Sequence, residues 1–530
     1  MKRILLVAPG DEASQKIQSS FRIYQSPLIK KKAFTTPLHI ATIAALTPPG
    51  FEVDIWDENV KGFIDEHRQF EKSYDLVGVT GYGIHFQRAV GIARVFRNRG
   101  ILVVAGGAGV SSTPEVYRPH FDVLFLGESE NLWPEFINDY TRGSHRSEYR
   151  SCEPPDFALS PAPRWDSIAE HLSADYMTGG VQITRGCPFS CEFCDVWKVF
   201  GRKMRAKPVA QVLEEISTLE RLGVRYVLLC SDNFVGDPRY AKELLRALIP
   251  HNQTFDEPLQ FTTELTLTVA RDEELLELAA DANFGGFLFG LESPNTESLK
   301  ETRKNHNLGH GGLSENCRKV MSYGIPIDGS LIVGFDHDGL DIFDLQFEFI
   351  ERTCITFPRV HMLKAIRGTD LYTRLVREGR VLEMDAVLGN TMGVDPQHTS
   401  NIIPMGMTRA QLMLGYIRLV ERILDWRSFE KRITGFVANV KRQPRVRPFS
   451  PAFLDHFRSA LPQMGEEAQE TVERVLEFTG KTAPFLLHRV GILAIRHYQE
   501  VTRLPYLQHC IRAQVELAND ISESQIAVAK

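Results

Sequence analysis

TRGCPFSCEFCDVW, Thr184 to Trp197, sets Cys187, Cys191 and Cys194 at the spacing C-x3-C-x2-C. The chain has only eight cysteines in 530 residues, and these three fall close together. A chain this poor in cysteine carries no disulfide framework, so grouped thiols point to metal binding or redox chemistry. The stretch begins inside an apolar run, GGVQITRG (179–186), which reads as a β-strand. The cysteines therefore follow a strand's carboxyl end.

Downstream of them the same alternation continues. YVLLCSD (226–232), LQFTTELTL (259–267), GFLFGLES (286–293), PIDGSLIVGFD (326–336) and RVHMLKAI (359–366) read as further strands. Helical patterns such as PVAQVLEEISTLERLG (208–223) and DEELLELAADANFG (272–285) separate them. Six β/α units predict a partial (β/α)6 TIM-like barrel, whose active site belongs at the carboxyl ends of the strands.

Upstream, ILLVAP (4–9), FEVDIW (51–56), DLVGVTG (75–81), ILVVAGG (101–107) and DVLFLGE (122–128) alternate with helical stretches such as HFQRAVGIARVFRNRG (85–100). This predicts an α/β, Rossmann/flavodoxin-like parallel sheet with its ligand at the strand ends. Those ends carry Thr80, Gly81, Gly106, Gly107, Gly127 and Glu128, with Ser111 close behind. Glycine lets a backbone approach a ligand, but it also makes a tight turn; both readings stand. Pro154, Pro155, Pro161 and Pro163 break regular structure between the two patterns. After about residue 400 strand signals fade, and MTRAQLMLGYIRLVERILDW (407–426) and PAFLDHFRSALPQMGEEAQETVERVLEF (451–478) read as helices, the second interrupted near Pro462. The expected domains are 1–142, a linker 143–175, a barrel 176–385 and a helical extension 386–530.

A net charge of -6 argues against a general nucleic-acid binder. The apolar run Ile4 to Ala8 is too short for a signal peptide, and no run is long enough for a membrane-spanning helix. The expected location is the cytoplasm, with a peripheral membrane contact left open. The basic patch KRQPRVRP (441–448) reads as a solvated loop.

Three thiolates suit a cubane iron–sulfur cluster with one iron left for a small molecule to chelate. Zinc is the rival, but a structural zinc site normally closes with four ligands in two pairs, and no second pair follows here. Buried structural cysteines are a further alternative. Cys152, Cys230, Cys317, Cys354 and Cys510 are expected to be ordinary buried thiols.

With Phe193 at the aromatic position, C-x3-C-x-Φ-C resembles the signature of the radical S-adenosylmethionine enzymes. The preceding α/β region, including GGAGVSSTPEVY and FDVLFLGESENLWPEFINDY (106–140), is similar to the cobalamin-binding domain of the subgroup that uses vitamin B12. MLKAIRGTDLYTRLVREGR (362–380) and NTMGVDPQHTSNIIP (390–404) look like the extension of the hopanoid C-methylases and bacteriochlorophyllide methylases. The resemblance covers essentially the whole chain. It implies a [4Fe-4S] cluster on Cys187, Cys191 and Cys194, S-adenosylmethionine on the open iron, and methylcobalamin as methyl donor. The adenosyl radical formed on reductive cleavage would abstract hydrogen from an unactivated carbon, which then receives the methyl group. The implied partners are a hydrophobic, lipid-like or tetrapyrrole-like substrate and a one-electron donor such as flavodoxin or ferredoxin.

The resemblance also implies S-adenosylmethionine contacts at Phe193, Asp232, Asn233, Glu264, Glu292, Ser293 and Gly334. Here Ser231-Asp232-Asn233 departs from the commoner Gly-Gly-Glu, and a helix cap ahead of DPRYAKELLRAL (237–248) is an alternative for Asp232 and Asn233. Exposed loop carboxylates are the alternative for Glu264 and Glu292. The cobalamin contacts implied are Thr80, Gly81, Gly106, Gly107, Ser111, Gly127 and Glu128. Many such domains place D-x-H-x-x-G after the first strand, whereas this chain reads APGDEASQK, so no histidine is expected on cobalt. His39 and His85 lie outside such a context. A B12-dependent radical cyclase, oxidase or rearrangement enzyme is the alternative function. A tRNA methylthiotransferase would need further N-terminal cysteines, and only Cys152 precedes Cys187.

Overall fold

The computed structural model describes residues 1–10, 25–26, 29–151, 153–309, 311–383, 398–446 and 451–520. Cys152, most of the loop after the first strand and most of the stretch 390–404 lie outside the described residues. The chain forms two compact units: residues 1–18, 31–188 and 195–230 in the first, and 19–30, 189–194 and 231–530 in the second.

In the first unit the strands are β1 (Lys2–Ala8), β2 (Ala33–Thr35), β3 (Phe51–Asp57), β4 (Leu76–Thr80), β5 (Leu102–Gly106), β6 (Val123–Leu126), β7 (Glu148–Arg150), β8 (Tyr176–Gln182), β9 (Thr184–Arg185), β10 (Arg205–Ala206) and β11 (Tyr226–Cys230). The main helices are α1 (Leu38–Leu46), α2 (Phe86–Arg97), α3 (Ser129–Arg142) and α4 (Val209–Arg221). Six strands pair in the order β3-β1-β4-β5-β6-β7, every pairing parallel. The five strands expected from sequence are all present, in the flavodoxin-like order. The sixth, β7, comes from the stretch read as a linker. Its three residues alternate too briefly to signal a strand, but Tyr149 is fully buried and stacks on Phe125.

Burial explains the elements. Ile4 to Val7 are at most 2 % exposed because the parallel sheet is covered on both faces. Ala89, Ile92, Ala93 and Phe96 repeat at helical spacing and turn α2 onto that core. Burying a large side chain such as Ile92 or Phe96 contributes about 1.5–3 kcal/mol. Gly143, in the left-handed conformation, ends α3. In the same unit β8 pairs in parallel with β11 on one side and β2 on the other. β9 and β10 pair antiparallel and tie off the chain before and after the cysteine stretch.

The second unit holds α5 (Pro238–Asn252), β12 (Gln260–Leu265), α6 (Glu273–Asp281), β13 (Phe284–Glu292), α7 (Thr296–Glu301), α8 (Gly312–Ser322), β14 (Ile327–Val333), α9 (Ile342–Thr353), β15 (Phe357–Met362) and α10 (Asp370–Arg377). The strands pair in parallel in chain order, β12 to β15. Phe261, Thr263 and Leu265 are buried, whereas the alternate residues Thr262 and Glu264 are accessible. Gly286 and Gly290 continue that second face on β13 and leave it open. Five further helices follow: α11 (Arg409–Leu424), α12 (Trp426–Asn439), α13 (Pro451–Ala460), α14 (Glu466–Thr482) and α15 (Leu487–Asp520). The break expected near Pro462 is a 3-10 turn, Leu461–Met464.

Candidate functional site

Cys187 belongs to the first unit, and Cys191 and Cys194 to the second. None of the three is in a disulfide among the described residues; Cys191 is buried and the others partly so. In the first unit Gly186 has φ +96, and a Cβ there would lie 2.5 Å from the Lys203 carbonyl oxygen. Only glycine lets the chain turn this tightly out of β9. The Cys187 amide then donates to Gly201 O at 3.2 Å, and Arg202 donates to Pro188 O.

In the second unit the segment Phe189–Cys194 is fastened at several points. The Glu192 amide donates to Thr302 O at 3.0 Å, and the Leu371 amide donates to Glu192 O at 2.9 Å. The Glu192 carboxylate accepts two hydrogen bonds from Arg374, at 2.8 and 3.1 Å, and Arg374 also reaches Asp336. Phe193 packs on the core of Phe335, Leu363, Leu371 and Leu375. Phe189 stacks on His306 at 3.8 Å between ring centroids. The anchoring helix α10 comes from the stretch that looked like a C-terminal extension. Sequence reasoning missed this role, because a pairing 182 residues apart leaves no local signal.

The strand ends of this unit gather buried charge. The Lys304 ammonium donates to Glu292 at 2.7 Å, and both side chains are almost wholly buried. A Cβ at Gly290 would strike Glu292 at 2.3 Å and Lys304 at 2.8 Å, so the glycine makes room for the pair. Glu292 itself holds φ +64, a conformation that side-chain-bearing residues adopt only when their surroundings impose it. Burial opposes the charge of Lys304, but Glu292 and the Cys191 and Cys194 thiolates outweigh it and raise its pKa. Burial, with the charges of Lys304 and Arg271, pushes His306 down to about 3, so its ring is neutral.

Asn233 is buried; its side-chain carbonyl accepts from the Thr266 amide at 3.1 Å, and its NH2 group has no hydrogen-bond partner. A buried donor without a partner costs about 1–3 kcal/mol and marks a place for an acceptor. The cap of α5 is Asp237, which accepts from the amides of Arg239 and Tyr240. Asp232 and Asn233 therefore do not cap that helix. Glu264 keeps an accessible carboxylate, yet protein crowds it as in a concavity: burial, then the Asp232 charge, raises its pKa. Ser293 is fully buried, and its hydroxyl accepts from the Asn295 amide. Gly334 has φ +103, and its amide and that of Phe335 donate to Asp338. Of the residues expected to contact S-adenosylmethionine, the structure links Phe193 with Glu292 through Lys304, and Asp232 with Glu264 through charge.

In the first unit the order β3-β1-β4 places a topological switch at the ends of β1 and β4, where open α/β sheets bind ligands. Gly81 and the exposed Tyr82 stand there, and a Cβ at Gly83 would meet open space. The exposed aromatic at 64 % accessibility was missed from sequence; its only signal is its place between two glycines after a strand. Gly107 at φ +112 packs on Thr80 and Gly81, so its own turn already requires glycine. Gly106 lies against Phe125. The Ser111 hydroxyl accepts from the Gly127 amide. Glu128 is held by Arg205 at 2.9 Å and by Arg185. His39 is exposed at the surface, yet crowding protein, with His85 nearby, takes it down to about 4, and burial also lowers His85.

Cys317 and Cys510 are buried as expected, whereas Cys230 and Cys354 are only partly buried: one ends a strand and the other caps a helix, where coverage is incomplete. Among the described residues, no three His, Cys, Asp or Glu side chains converge as a single metal ion requires. A cubane differs in taking each thiolate on a different iron atom.

The model of the radical SAM superfamily matches residues 181–344, and that of a domain of unknown function matches 369–469. The hopanoid C-2 methylase of Rhodopseudomonas palustris is 32% identical over 392 residues, 72% of each chain. An uncharacterized methyltransferase of Synechocystis, sll1242, is 34% identical over 358 residues, 67% of this chain and 66% of its own. Among solved structures, TsrM of Kitasatospora setae, a radical S-adenosylmethionine methyltransferase with cobalamin and a [4Fe-4S] cluster bound, aligns with a TM-score of 0.58. It is 17% identical and covers 72% of this chain and 75% of its own, a likeness of fold.

Proposed function

The chain belongs to the radical S-adenosylmethionine methyltransferases, the family of the hopanoid C-2 methylase, and we propose that it methylates an unactivated carbon of a hydrophobic, lipid-like or tetrapyrrole-like small molecule with cobalamin as methyl carrier. The observation that carries this reading is the anchored cysteine segment beside a buried lysine at the strand ends. Three closely spaced cysteines, a neighbouring cation and glycine-shaped turns fit an iron–sulfur cluster. Cys187, Cys191 and Cys194 would hold it. The unpartnered amide of Asn233, with Asp232 and Glu264, fits a ligand bearing both acceptors and a cationic ammonium. Phe193, Glu292, Ser293 and Gly334 belong to the same proposal. Gly81, Gly83 and Tyr82, with Thr80, Gly106, Gly107, Ser111, Gly127 and Glu128 shaping the strand ends, fit a flat macrocycle. When bound, the cluster supplies an electron to cleave S-adenosylmethionine reductively and cobalamin supplies the methyl group.

The protein's own residues position and shield. Arg374 fixes the cysteine segment through Glu192, and the Phe193 ring seals it against the core. The proposed location is the reducing cytoplasm, where grouped thiols persist. Among the described residues, no helix is long and apolar enough to cross a membrane. A flavodoxin or ferredoxin is the proposed electron donor. The domain limits 1–142, 143–175, 176–385 and 386–530 remain part of the same proposal.

Anaerobic reconstitution tests the reading. Iron and sulfide near four each per chain, retained cobalamin, and substrate conversion with one methylene unit of added mass support it. Cleavage of S-adenosylmethionine with an unmethylated product would assign the chain to cyclisation, oxidation or rearrangement instead. Asp232→Ala should weaken S-adenosylmethionine binding about ten- to a hundredfold with the cluster retained, the loss of one charge-assisted hydrogen bond.

A further inference from the structure

Lys304 is placed where its charge acts on the cysteine segment. Its ammonium lies 5.8 Å from the centre of the ring of Phe193, which directly precedes Cys194. Two residues earlier in its own chain, Thr302 O accepts the amide of Glu192 at 3.0 Å, so the two segments are hydrogen-bonded together. The ammonium is held in place by Glu292 at 2.7 Å, in the space left by Gly290. It is 11 % exposed, so water screens it poorly. Nothing about the S-adenosylmethionine contacts expected from sequence required a lysine here.

We propose that Lys304 is a positioning and tuning residue, whose buried ammonium raises the reduction potential of the cluster on Cys187, Cys191 and Cys194. The proposal rests on the cluster assignment made above. The physical reason is charge balance. A cluster carrying three thiolates becomes one unit more negative when it accepts an electron from the donor protein, or from dithionite in vitro. No covalent bond forms or breaks and no proton is needed in that step. A fixed positive charge in a poorly screened site stabilises the more negative state. Glu292 opposes this effect, but its own part is to hold the ammonium against Phe193.

The test is a mediated potentiometric titration of the anaerobically reconstituted full chain, read by electron paramagnetic resonance of the reduced cluster. Lys304→Gln should lower the midpoint so that reduction is at least tenfold less favourable at a given potential, 59 mV for a one-electron couple. Lys304→Arg keeps the charge and should stay near the parent. Lys304→Gln with Glu292→Gln keeps a neutral hydrogen-bonded pair and removes both charges; its midpoint should fall between parent and single variant. A Lys304→Gln midpoint equal to the parent overturns the proposal. So does a shift that vanishes in the double variant, because the unpaired Glu292 carboxylate would then be its cause. If Lys304→Gln fails to fold, the double variant decides alone, a midpoint below the parent supporting the proposal and an unchanged one overturning it. A parent protein that binds no iron and sulfide fails the cluster assignment itself, a result separate from any shift between cluster-bearing variants.

Discussion

Around Gly107 in the first unit the strand ends are shaped by backbone; around Lys304 in the second they are shaped by charge. In the first unit the turns after β4 and β5 pack glycine against glycine, and the acidic residue at the end of β6, Glu128, is already neutralised by two arginines. In the second unit a buried ammonium pairs with a glutamate in a strained conformation, a neutral histidine lies close by, and elsewhere the buried amide group of Asn233 has no partner. A backbone surface suits a large ligand bound by shape. Buried charge suits a site where charge changes during the reaction, because it acts strongly only where water is excluded.

The largest effect that would break this contrast comes from the cysteines. Cys187→Ala in the first unit and Cys191→Ala or Cys194→Ala in the second should each abolish the cluster and 5′-deoxyadenosine formation, since three ligands leave none to spare. Iron counting and product chromatography read this out. A variant retaining both would remove that cysteine from the proposed ligand set.

Next in size is the backbone side. Gly107→Ala should cost roughly 3 kcal/mol, because φ +112 is a glycine conformation and the new Cβ would meet Thr80 Oγ1 at 2.8 Å. Gly83→Ala, which meets open space, should leave stability within about 0.5 kcal/mol. Denaturant titration compares them. Cobalamin retention lost in Gly83→Ala while stability is kept would sharpen the reading of that turn as a ligand surface.

Arg374→Ala should cost about 2 kcal/mol by removing a charged pair of hydrogen bonds to Glu192, and cluster loss to a chelator should become faster. Unchanged loss rates would remove α10 from the site.

The last effect is shared by both units. Burial raises Asp57 in the first and Asp338 in the second to about 6 from an ordinary 3.8. An acid raised in the folded state is more readily protonated there than in the unfolded chain. Each therefore makes stability fall as pH rises from about 4 to 6, by at most about 1.4 kcal/mol per pH unit. Asp57→Asn and Asp338→Asn should each flatten that slope, measured by thermal unfolding across pH. A slope left intact in both would place the titration elsewhere.

Much of this was readable in the chain. The apolar runs 4–9, 51–56, 75–81, 101–107 and 122–128 became β1, β3, β4, β5 and β6, because short apolar runs set off by glycine make buried parallel strands. The cysteine spacing was legible because it lies within a few residues. Strand β7 was not, since its pairing with β6 supplies what its own three residues lack. Nor was the choice of Asp237 over Asp232 as the cap of α5, which depends on which carboxylate meets the free amides.

By itself, then, the sequence determined what local order can encode: strand and helix periods, turn glycines, and three thiols at a fixed spacing after a strand. Only the tertiary structure decided that Arg374 holds Glu192, that Lys304 stands by Phe193 against Glu292, and that Glu128 is consumed by arginines. Those pairings join residues from 12 to 182 positions apart. A side chain's charge and burial depend on what the fold brings beside it, and no periodicity in the chain records that.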